Sequence, residues 1–68
     1  LTTGNKLKRA YATAESLAGE LKLFAQDTNN PEAKKMYTDL ANTMEFAAGQ
    51  LKERLDFVLE EEPQYREE

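Results

Sequence analysis

Apolar side chains recur through the first half of the chain at Leu7, Ala10, Tyr11, Ala14, Leu17, Ala18, Leu21, Phe24, Ala25 and Thr28. The positions repeat as i, i+3, i+4 and i+7, which gathers all ten on one face of a helix. The second half repeats the pattern with Ala33, Met36, Tyr37, Leu40, Ala41, Met44, Ala47, Ala48, Leu51, Leu55, Val58 and Leu59. Two amphipathic helices are therefore predicted, over residues 4–28 and 31–61, with a turn at 29–30 and a tail at 62–68.

The boundaries carry their own chemistry. Thr2 or Thr3 is suited to cap the first helix through its hydroxyl, while Gly4 and Asn5 fit a helix end better than an interior. At the break, Asn29 tolerates the left-handed conformation that closes a helix, Asn30 is a good N-cap, and Pro31 fits a first helical position, which needs no amide. Glu32 lies favourably at the positive end of the second helix dipole. Pro63 cannot continue that helix, and Tyr65 beyond it is expected to fold back on the bundle end.

So short a turn forces antiparallel neighbours, giving an all-α fold, an antiparallel two-helix hairpin of one domain. Its two stripes are rich in alanine, and two helices cover only part of each other. Burying one large aliphatic side chain is worth roughly 1.5–3 kcal/mol, against about 1–2 kcal/mol to order each backbone residue. A lone hairpin is thus marginal, and pairing into a homodimeric four-helix bundle is expected. Phe46 and Phe57 lie eleven residues apart and opposite the main stripe, with Gly49 one turn beyond Phe46. A helix-interior glycine costs up to about 1 kcal/mol unless close approach repays it, so Phe46, Gly49 and Phe57 are the candidate partner-binding residues. Leu23 stands similarly off the first stripe, with Gly19 one turn before it. The plain alternative is that these are ordinary isolated apolar surface residues.

Composition narrows the chemistry. The 68 residues include no Cys, His or Trp, which removes thiol nucleophiles, imidazole proton relays and Cys/His zinc sites. No apolar run exceeds three residues, Phe46-Ala47-Ala48 and Phe57-Val58-Leu59 among them, far below the roughly 20 that span a bilayer. A soluble, cytoplasmic protein without cofactors or metals and without enzymatic activity is expected. A di-metal bundle needs inward carboxylates, whereas Glu15, Glu20, Glu32, Glu45 and Glu53 all project away from the stripes. Tyr11 and Tyr37 read as packing residues, and the acidic run at 60–62 as a solvated end.

The formal net charge is −4, the wrong sign for nucleic acid or an anionic membrane surface. Lys6, Lys8 and Arg9 open the first helix. In an antiparallel hairpin they are expected to neutralise Glu53, Asp56 and Glu60–Glu62 at the end of the second.

The turn Phe24-Ala25-x-x-Thr28-x-Asn30-x-Glu32-Ala33-Lys34-x-x-Tyr37, the opening Thr3-Gly4 and the closing Glu61-Glu62-Pro63-Gln64-Tyr65 resemble a family of small proteins of unknown function from spore-forming Bacilli and Clostridia. The resemblance covers essentially the whole chain; the start at Leu1 departs from it, as trimming or an alternative start would produce. It implies genomic company beside sporulation proteins that move dipicolinic acid across the spore inner membrane and beside small membrane proteins, hence a forespore or spore location. It implies no catalytic or binding residues. The function expected is a helical self-association and protein-interaction module, accessory to spore membrane machinery. The alternative is a small bundle-core carrier of an apolar ligand, with Met36 and Met44 as an adaptable lining.

Overall fold

A computed structural model describes residues 3–61, which form α1 (Thr3–Asp27) and α2 (Pro31–Glu61). The helices pack on each other as a hairpin with no strand among the described residues. Its Cα trace measures 49 × 16 × 11 Å, so it is two helices wide and one helix thick. The tail at 62–68, with Pro63 and Tyr65, and the side chain of Glu61 lie outside the described residues, as does Thr2.

The turn is held by side chains. Asn30 Oδ1 accepts from the Ala33 amide at 2.9 Å, which makes Asn30 the N-cap of α2, with Pro31 first in the helix and Glu32 in its first turn. α1 ends differently from expectation. No described residue has a positive φ, so Asn29 does not adopt the left-handed conformation. Two polar contacts close the helix instead: Thr28 Oγ1 accepts from the Asn30 amide at 3.1 Å, and Lys34 Nζ donates to the Ala25 carbonyl at 2.6 Å. The lysine places a positive charge from α2 on the negative end of α1, satisfying a carbonyl that a left-handed turn would otherwise serve. At the other end Thr3 is already helical, so it is not the cap.

The buried side chains are Ala14, Ala18, Leu21 and Ala25 on α1 with Ala41, Ala48, Leu55 and Val58 on α2. Five of these eight are alanine, which lets the two backbones approach closely while sealing little volume. No polar or charged side chain is buried among the described residues, and Glu15, Glu20, Glu32, Glu45 and Glu53 are exposed as their spacing predicts.

The basic start of α1 and the acidic end of α2 do not neutralise each other by contact. Among the described residues none of Lys6, Lys8 and Arg9 forms an ion pair with Glu53, Asp56 or Glu60. At about 100° per residue the three basic side chains scatter around α1, Glu53 and Glu60 lie on the part of α2 turned from α1, and Asp56, on the flank where the helices adjoin, is taken up by Lys52 of its own helix. The cross-helix pair that does form is Lys22–Glu45, on the flank where the two helices adjoin.

Candidate interaction surface

The hairpin has two unlike sides. Lys22, Gln26, Lys34, Thr38 and Asn42 surround an open depression of about 310 Å³ whose floor includes the buried Ala25 and Ala41. This polar side also carries the Lys22–Glu45 pair. On each helix the opposite flank is apolar. Leu17 and Phe24, a heptad apart, lie across the buried line of α1 from Lys22 and Gln26. Met36 and Leu40 lie across that of α2 from Lys34 and Thr38.

These four side chains therefore share one side, and they remain 40%, 47%, 50% and 43% exposed for Leu17, Phe24, Met36 and Leu40. The Phe24 ring meets Tyr37 edge-on, 5.5 Å between centroids and 62° between planes, bridging the two helices on this side. A second open depression, of about 390 Å³, is lined by Glu32, Lys35, Met36, Asp39 and Leu40. Both depressions are surface features, and neither is an enclosed chamber between the helices. Sequence periodicity placed Leu17, Phe24, Met36 and Leu40 in the stripes without telling the part facing the other helix from the part facing outward. The available signal was stripe width: three columns of apolar residues on α1 are more than a single helix can cover.

The candidate contacts Phe46, Gly49 and Phe57 lie on the outward face of α2. Phe46 is 69% exposed and Phe57 50%, and nothing lies within 4 Å of where a Cβ on Gly49 would sit. The structure does not bring the two rings together. Eleven residues separate them by about 16 Å of helix, with Gln50 and Glu53 between them on the same face. Phe57 is partly sheltered by Arg54, whose guanidinium carbon stands 5.0 Å from the ring centroid. Leu23 is exposed on α1, and Gly19 likewise faces open space.

The polar groups near these surfaces are paired. The Tyr11 hydroxyl donates to Glu15 at 3.0 Å, which together with the charge of Glu15 raises its pKa above the usual phenol value. Lys22, Lys35 and Lys52 are each raised above the ordinary lysine value by a hydrogen bond to Glu45, Asp39 and Asp56 respectively. Among the described residues no group of three or more carboxylates converges to hold a metal ion, and no helix is long and apolar enough to cross a membrane.

A family model described as "Protein of unknown function (DUF1657)" matches residues 7–55, which takes in most of both helices and the whole turn. The chain belongs to this family. The Phe24-to-Tyr37 turn motif falls inside the match, whereas Thr3-Gly4 and the Glu-Glu-Pro-Gln-Tyr close fall outside it. No significant match to the chain exists among curated proteins or among solved structures.

Proposed function

We propose that this protein is a non-enzymatic helical module that associates with a second copy of itself and docks onto a partner, a membrane protein of the spore, from the cytoplasmic side. The observation carrying the reading is the half-exposed row Leu17, Phe24, Met36 and Leu40 on a hairpin whose own core is mostly alanine. A sheet of two helices, one helix thick, gains most by covering its second apolar side. The spore setting rests on the resemblance of the turn and tail motifs.

Phe46, Gly49 and Phe57 lie on another face and remain available to a different partner. Replacing Phe46 and Phe57 together by serine is expected to leave helicity and the self-associated mass unchanged while abolishing crosslinked capture of an integral membrane protein from sporulating cells. Capture equal to that of the native chain would count against the docking role. A native chain that stays monomeric in light scattering would count against self-association.

A further inference from the structure

The exposed apolar side is graded along its length. At about 1.5 Å per residue from the turn, Phe24, Met36, Leu40 and Leu17 lie about 6, 9, 15 and 16 Å along it, whereas Ala10 and Ala47 lie about 26 Å along it. The exposed bulk is at the turn end; toward the open end Ala10 and Ala47 are small, and the large Leu7 and Leu51 are half-buried between the helices. Two copies can close face to face about a two-fold axis in two ways. With both turns at one end, α1 covers α2 of the second copy, Phe24 meets Met36 and Ala10 meets Ala47. Large side chains then oppose large ones and the open ends part. With the turns at opposite ends, α1 covers α1 and α2 covers α2. Phe24 then lies over Ala10, Met36 over Ala47, and Leu17 meets its own copy near the axis, so the graded faces fill each other.

Charge along the rims points the same way. Turns together would set Asp27 beside Glu32 and Lys6 beside Arg54, like against like at both ends, with Glu20 beside an Asp39 already paired with Lys35. Turns apart bring Lys6 level with Asp27 of the second copy and Glu32 about 6 Å along the axis from its Arg54, while Asp39, about 6 Å along the axis from its own copy, is paired with Lys35. The face is about 18 Å wide and about 37 Å long, so closing it buries roughly 1,300 Å² in total, inside the range of specific interfaces.

We infer that the occupant of this face is a second copy of the chain, docked with its turn at the opposite end, the two α1 helices antiparallel and in contact through Leu17. The inference rests on the self-association reading and adds which face is covered and in which direction. The chain has no cysteine, so single-cysteine variants report the geometry without interference. Leu17→Cys is expected to form its own disulfide dimer rapidly under mild oxidation, and a mixture of Leu17→Cys with Leu40→Cys to yield no mixed disulfide between them. Independently, Lys6→Glu should weaken dimerisation by roughly 3- to 30-fold at low salt, and adding Asp27→Lys should restore it. A dominant Leu17–Leu40 mixed disulfide, or a tighter dimer from Lys6→Glu, overturns the arrangement while leaving self-association intact. Sedimentation equilibrium showing only monomer for the native chain at hundreds of micromolar overturns both.

Discussion

At the residue scale, the contacts that stop one helix and start the next are few and separable. Lys34 Nζ on the Ala25 carbonyl is part-buried and charge-assisted. Lys34→Met keeps the helix propensity and the aliphatic stem while removing the donor, so it should cost about 0.5–2 kcal/mol, read as a lower urea midpoint with an unchanged slope. A midpoint equal to that of the native chain would show the lysine to be a bystander.

The raised groups set a direction in pH. Lys22, Lys35, Lys52 and Tyr11 hold their protons more tightly folded than unfolded. Their contribution is complete below the unfolded values and lost as pH rises through the folded ones, above about pH 10. All four are solvent-exposed, so the loss is small. Thermal melts from pH 8 to 11.5 should show a falling midpoint, with a shallower fall in Glu45→Gln, where Lys22 has lost its carboxylate. A midpoint constant across that range would contradict the assignment.

At the element scale, the alanine seam fixes how closely α1 and α2 lie. Ala18, Ala41 and Ala48 are 2%, 1% and 2% exposed, so a larger side chain there must push the helices apart. Ala48→Leu is expected to destabilise by about 1–3 kcal/mol despite adding apolar surface, read as a lower urea midpoint. The glycines behave oppositely: a methyl group on Gly19 or Gly49 would meet nothing within 4 Å, so Gly19→Ala should stabilise the helix by up to about 1 kcal/mol. Gly49→Ala should match it in the isolated protein and weaken partner docking only if the partner's backbone approaches there.

Helix positions were legible in the sequence because Asn30-Pro31 leaves little choice at the break and the apolar spacing runs unbroken on either side. The manner of ending α1 was not legible, because Asn29 is permitted a conformation it does not use and the capping donor, Lys34, comes from the next helix. The division of each stripe was not legible either. Leu17 and Leu21 differ by one turn in a single pattern, yet Leu21 is buried and Leu17 is 40% exposed. Only the angle at which α2 crosses the stripe tells them apart. Lys22 and Glu45 pair because both lie on the flank where the helices adjoin, whereas Lys6, Lys8 and Arg9 share only an axial level with Glu53 and Glu60, and Asp56 is held by Lys52; axial proximity is legible in the sequence and direction around the axis is not.

At the scale of the whole molecule, the hairpin leaves one apolar side uncovered. Its polar side carries Lys22–Glu45 and the capping lysine around an open depression, its outer α2 face carries Phe46 and Phe57 apart from each other, and its remaining side presents Leu17, Phe24, Met36 and Leu40 to solvent. On the proposal that a second copy covers that last side, a second core is added to one that is largely alanine, folding and association are coupled, and stability depends on concentration by mass action. The most direct test is the thermal midpoint followed by circular dichroism over a hundredfold range of protein concentration. A midpoint that climbs steadily with concentration is the predicted result. A single cooperative transition at the same temperature throughout would contradict it.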